Sequence, residues 1–198
     1  MADENPEVLN LFPNRVAVFT VTEDLSNLEK VKDFLFESIH HNGENFNLYK
    51  TFPMDLLKSF PEEENLIIRY FNKFKNDVLG LKDIDFYVEK SWSIRADEQG
   101  YSPYHNHSDA YYSGVLYFDN IPEGGELEFI TDGTRPFKFK TYPFLSTNSI
   151  FKAEKFTFKA RKNILIFFPA YLKHSIKPNL GKHPRYSIAF NILPKTEI

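Results

Sequence analysis

The chain predicts an α+β protein that is mainly β: an antiparallel jelly roll or barrel, with two N-terminal helices packed on one side. Three observations predict it. Helical periodicity is confined to the residues before Gly80. From residue 83 onward, β-branched and aromatic residues alternate with polar ones. Turn signals recur there, at Glu98-Gln99-Gly100, Pro122-Glu123-Gly124-Gly125, Thr131-Asp132-Gly133 and Lys177 through Gly181. Aromatic residues reach 17%, with 21 Phe and 11 Tyr, which favours strands and a bulky core.

Residues 1–9 are polar and read as a loose start. Val16 to Val21 is a β-rich run and reads as the first strand. Ser26 and Glu29 match a capping box, and Leu28, Val31, Leu35 and Ile39 recur at spacings of three and four. This predicts an amphipathic helix over 27–40. His40 and His41 would then cap its C-terminus, where the dipole favours them and neighbours in sequence do not face each other. Residues 44–60 are mixed, with Pro53 and a short helical turn. Pro61 suits a first helical position, and Glu62, Glu63 and Glu64 favour a helix N-terminus. Ile67, Tyr70, Phe71, Phe74 and Val78 form an apolar stripe that reads as core, and Gly80 stops the helix predicted over 61–79.

Strands are predicted over 84–95, 102–109, 111–119, 125–130, 136–142, 149–160, 163–168, 173–177 and 184–193. No repeat or linker divides the chain. Residues 1–198 therefore read as one domain, with an N-terminal strand and support helices over 1–82 and a jelly-roll core over 83–195.

Composition narrows the function classes. Hydrophobic residues make up 42% and charged residues 26%, the mix of a soluble globular protein. The net charge of -3 supplies no global basic field and argues against nucleic acid as a partner. Lys138, Lys140, Lys152, Lys155, Lys159, Arg161 and Lys162 read as a solvated strand face. No apolar run is long enough for a membrane span, and the acidic N-terminus lacks the features of a signal peptide. There is no Cys, which excludes disulfides and thiolate metal sites and makes a cytoplasmic location the expectation. The N-terminal helices offer a surface for a homodimer.

Three segments carry chemistry. His105, His107 and Asp109 lie two residues apart, so an extended strand would point all three to one face. A second segment runs from Asn163 through an apolar stretch and Phe168-Pro169 to His174. Two ligands from the first and His174 from the second would make a one-sided, three-point metal site suited to mononuclear Fe(II). In the third segment Arg185 and Ser187 share one face of a strand. An Arg fork with a neighbouring hydroxyl suits the far carboxylate of a metal-chelating 2-oxo-dicarboxylate. His107, Asp109 and His174 form the set favoured by the usual preference for one carboxylate. His105, His107 and His174 are the alternative, and the unused residue would support the ligands from behind.

These segments resemble the Fe(II)/2-oxoglutarate-dependent oxygenases, with their H-x-D/E, distal His and R-x-S. They are most similar to small bacterial and phage-type members with H-x-H, S-G-V-x-Y, F-P-x-x-x-x-H and R-x-S-I-x-F-N. The matching residues are His105 to His107, Ser113 to Tyr117, Phe168 to His174 and Arg185 to Asn191. Gly124-Gly125-Glu126-Leu127 resembles a turn common in prolyl-hydroxylase-like relatives. The resemblance covers about residues 90–193. It implies a double-stranded β-helix, Fe(II), 2-oxoglutarate and O2, with ascorbate as an assay supplement and a phage-encoded origin as one setting. It also adds Tyr117 and Asn191 to Arg185 and Ser187 as candidate cosubstrate-binding residues. The implied reaction is hydroxylation of a peptidyl side chain or small molecule, with release of succinate and CO2. Two other readings compete. A cupin-type metal enzyme would use H-x-H with Glu126 or Glu128, and a non-catalytic β-sandwich would bind no metal. Trp92, Tyr104, Tyr111 and Tyr112 fit either a substrate mouth or the core, and His183 reads as solvated.

Overall fold

The computed structural model describes residues 14–34, 39–40, 46–121, 123–130 and 155–195. The predicted strand over 136–142, residues 149–154 of the next, the Thr131-Asp132-Gly133 turn, His41, Lys138, Lys140 and Lys152 lie outside the described residues. The strands in chain order are β1 (Ala17–Thr20), β2 (Ile39–His40), β3 (Leu48–Lys50), β4 (Phe86–Ala96), β5 (Ser102–His105), β6 (Tyr112–Tyr117), β7 (Leu127–Ile130), β8 (Lys155–Phe158), β9 (Ile164–Pro169), β10 (His174–Ile176) and β11 (Arg185–Pro194). The α-helices are α1 (Val31–Phe34) and α2 (Pro61–Phe74). Among the described residues no helix is long and apolar enough to cross a membrane.

Two sheets form the jelly roll. The major sheet has the order β1-β9-β6-β11-β4-β3-β2, and the minor sheet β5-β10-β7-β8. Leu127 and Phe129 of the minor sheet pack against Val115, Tyr117, Ile166 and Phe168 of the major sheet. Ile176 does the same against Trp92, Ile94 and Ala189. The other face of the major sheet is covered by α2. Leu66, Ile67, Phe71 and Phe74 meet Leu116, Phe167, Ile188 and Phe190 there. The Phe71 ring lies 5.1 Å from that of Phe86, 5.3 Å from Phe167 and 5.4 Å from Tyr112. Each such buried side chain stabilises the fold by about 1.5–3 kcal/mol.

Alternation along β11 assigns its residues to the two faces. Arg185, Ser187, Ala189 and Asn191 face the inter-sheet space, and Ile188, Phe190 and Ile192 join the helix-side core. On β4 the parity changes midway. Asn191 pairs with Lys90 but Ile192 with Val88, so Glu89 is an extra residue opposite a continuous partner strand. Phe86 and Val88 therefore face the helix layer, whereas Trp92 and Ile94 face the interior between the sheets.

The helix over 61–79 forms as expected in type. Pro61 is at its start, three Glu fill its first turn, and Gly80 ends it at φ 72°. Its last turn, Lys75–Leu79, widens to a π-helix, and Val78 of the predicted stripe is exposed. The helix predicted over 27–40 is corrected at its start and its end, with residues 35–38 outside the described residues. A 3-10 turn at Ser26–Lys30 and the single turn of α1 take part of its place, and His40 lies in β2, opposite Tyr49. The capping box does not form, because Asp24 accepts from both the backbone and the hydroxyl of Ser26. β3, inside the stretch read as mixed, supplies the pairing edge for β2.

Candidate metal centre

β5 and β10 lie side by side, with His105 opposite His174. The chain leaves the extended conformation after His105, so the strand predicted to continue to residue 109 ends four residues early. His107 follows in an irregular segment whose backbone N–H donates to the Ala170 carbonyl at 2.9 Å. That bond ties the segment to the corner that ends β9. Ligand nitrogens of His105, His107 and His174 all lie within 4.8 Å of one another. The His105 and His174 ring centres are 4.4 Å apart, and His107 is 5.2 and 5.3 Å from the two.

The rings are oriented from behind. His174 Nδ1 meets the Leu172 carbonyl at 2.8 Å and His105 Nδ1 the Pro103 carbonyl at 2.9 Å. A carbonyl only accepts, so each Nδ1 carries the proton and each Nε2 keeps a lone pair. Burial, reinforced by the neighbouring His105, lowers the pKa of His107 to about 4 and of His174 to about 3. Both are neutral ligands at physiological pH. Three convergent imidazoles fit a divalent first-row metal such as Fe(II).

Asp109 is not part of this cluster. It sits in the turn after His107, where its Oδ2 lies 2.5 Å from Lys90 Nζ. That ion pair holds its carboxyl below the usual range. Extended-strand alternation cannot bring it to the face of His107, because the strand has already ended. Of Glu126 and Glu128, candidates for a cupin-type site, Glu126 precedes β7 and Glu128 is on the outer face of that strand. Glu128 pairs with Ser175, one residue out of phase with the Phe129–His174 pair. Its carboxylate accepts from Tyr104, Lys155 and Thr157.

The histidines open onto a cavity of about 340 Å³, also lined by Lys50, Trp92 and Asn191. Asn191 Oδ1 accepts from Ser113 Oγ at 2.8 Å, which fixes its side chain on the cavity wall. Of the four aromatics with two readings, Trp92 lines the cavity. Tyr112 packs in the helix-side core, Tyr104 turns to Glu128 and Tyr111 packs on Phe86. His183 is exposed. Lys50 escaped the sequence reading. The Phe46-Leu48-Lys50 alternation is its only signal, and it lies in a stretch that reads as mixed.

Arg185 and Ser187 lie further along β11, behind the open cavity. Arg185 is fully buried, and its Nε and Nη2 have no hydrogen-bond partner among the described residues. Its Nη1 donates to Ser187 Oγ at 3.5 Å, a long contact, and the guanidinium lies over the Tyr117 ring at 4.9 Å. The Tyr117 hydroxyl is also buried and without a partner among the described residues, and burial raises its pKa. A buried guanidinium without a counter-ion is costly, so these orphaned donors fit a carboxylate. Gly125, at φ 66°, lets the chain pass Arg185, since a Cβ there would lie 2.6 Å from Arg185 Cδ.

The model of the family described as "Putative 2OG-Fe(II) oxygenase" matches residues 90–191. No curated protein sequence matches the chain. Among solved structures, the chain is similar to a 2OG-Fe(II) oxygenase family oxidoreductase from Burkholderia pseudomallei, at 12% identity and TM-score 0.62, covering 89% of this chain and 83% of that one. It is similar to the epimerase SnoN from nogalamycin biosynthesis in complex with Fe3+, alpha ketoglutarate and nogalamycin RO, at 14% identity and TM-score 0.63, covering 91% and 79%. A Pseudomonas putida prolyl-4-hydroxylase is also similar, at 13% identity and TM-score 0.58, covering 89% and 91%. At these identities the structural likeness speaks for the jelly-roll fold.

Proposed function

Because the chain belongs to the 2OG-Fe(II) oxygenase family, we propose that His105, His107 and His174 hold its Fe(II) and that Arg185 anchors the distal carboxylate of 2-oxoglutarate. The observation that carries this reading is the convergence of three imidazoles within 4.8 Å in the same jelly roll as a buried arginine whose Nε and Nη2 have no partner among the described residues. When bound, iron and 2-oxoglutarate supply oxidation by O2, with release of succinate and CO2 and hydroxylation of the substrate.

The protein's own groups have separable roles. The Leu172 and Pro103 carbonyls fix the tautomers of His174 and His105, so that Nε2 presents its lone pair. Arg185 supplies a charged fork, with Ser187 and Tyr117 beside it as further donors. Asn191, held by Ser113, offers a fixed polar group on the cavity wall. Trp92 and its apolar neighbours exclude water from the space facing the histidines. A small molecule or an inserted peptidyl side chain fits this volume. A reducing, cytoplasmic setting suits a ferrous enzyme, and ascorbate belongs in its assay.

Metal content and succinate formation, measured together, test the reading. His174→Ala and His105→Ala are each expected to lose more than about 90% of bound Fe(II) and of turnover, since ligand loss commonly costs far more than tenfold in affinity. Asp109→Asn is expected to retain its iron. Iron loss in Asp109→Asn together with retention in His105→Ala would move the site to the His107, Asp109 and His174 set.

A further inference from the structure

The charged residues lining the cavity do not balance. They are Lys50, Lys90 and Asp109. Lys90 and Asp109 neutralise each other through their ion pair. The Lys50 ammonium has no ion-pair or hydrogen-bond partner among the described residues, and the residue is partly buried, on the same face of β3 as Leu48. Burial alone lowers its pKa. The wall facing the metal therefore carries one uncompensated cation. Around it the surface is apolar: Leu48, Met54, Trp92 and Ile94.

We propose that Lys50 is the specificity-determining residue for the prime substrate and that this substrate is a carboxylate with an apolar body. The proposal rests on the reading above, in which Arg185 takes the cosubstrate and leaves Lys50 free for a second anion. One surplus positive charge favours a monoanion. A half-desolvated ammonium gains most from an anion that enters the same low-dielectric space. The apolar residues beside it would cover the rest of such a molecule and set its distance from the histidines. Lys50 would act by binding and orientation, with no part in electron or proton transfer.

The chain's single tryptophan, Trp92, lines this cavity and provides the readout. Protein loaded with Ni(II) and saturated with 2-oxoglutarate is titrated with hexanoate and with hexanamide, following Trp92 fluorescence. These probes share an apolar body and differ in charge. Hexanoate is expected to bind the wild type about tenfold more tightly than hexanamide, as one charge-assisted hydrogen bond implies. In Lys50→Met the preference is expected to fall below about twofold, and in Lys50→Arg to persist. Equal affinity of the two probes in the wild type, no binding of either, or an undiminished preference in Lys50→Met would each overturn the proposal. Binding of 2-oxoglutarate to the wild type is measured first. Its absence would overturn the cosubstrate reading, whereas its presence without a carboxylate preference would overturn only the role of Lys50.

Discussion

His107 and His174 are kept neutral by burial, and this couples metal readiness to stability. In the unfolded chain each takes up a proton near its ordinary value of 6.5; in the folded protein each does so only at about 4 and about 3. Between those limits the unfolded chain binds more protons. Stability present above pH 6.5 is therefore lost as pH falls toward 4. Urea midpoints of the metal-free protein at pH 7.0, 5.5 and 4.5 should fall in that order, and His174→Leu should show a shallower dependence. At Arg185 the expected effect is on affinity. Arg185→Met should raise the Kd for 2-oxoglutarate about 10- to 100-fold by calorimetry, the range of one or two charged hydrogen bonds, with metal content unchanged. The convergence of His105, His107 and His174 and the burial of Arg185 are legible because the spacing and order of these residues carry chemical meaning. The standing of Asp109 is not. It depends on where β5 stops, and no Gly or Pro between His105 and Asp109 marks that point.

Helix α2 was legible for the opposite reason: its start, stripe and stop all appear in local sequence. Its contribution is large, since Phe71 is fully buried against rings from β4, β6 and β9. Phe71→Ala should destabilise the protein by about 3–5 kcal/mol in urea unfolding, the usual cost of an aromatic deleted from a core. The segment over 27–40 shows where periodicity misleads. Leu28 and Val31 are buried as a helix stripe requires, yet the described residues around them form a 3-10 turn and one α turn. Two apolar residues can be satisfied by a 3-10 turn followed by one α turn, and pairing of Ile39 and His40 with β3 draws the chain into a sheet. That partner strand is remote in sequence, so no local pattern announces it.

The described residues form three layers: the minor sheet, the major sheet and α2. Alternation and turn residues sufficed to predict a jelly roll with helices on one side. They did not give the strand order, which depends on register between strands far apart in sequence. The three clustered histidines come from the minor sheet and from the segment after β5, whereas Arg185, Asn191, Lys50 and Trp92 come from the major sheet. The site therefore exists only when both sheets are assembled. The extra residue Glu89 has a corresponding consequence for how the chain tolerates insertions and deletions. A one-residue deletion inside a regular strand turns the side chains beyond it to the other face. Removing Glu89 would instead bring Val88 and Lys90 together opposite the consecutive Ile192 and Asn191, a regular ladder. Phe86 and Val88 would still face the helix layer, and Lys90, Trp92 and Ile94 the interior. A Glu89 deletion should accordingly yield a folded protein whose Trp92 fluorescence responds to 2-oxoglutarate and Ni(II) as that of Glu89→Ala does, and loss of the response in the deletion alone would show that the bulge itself shapes the cavity.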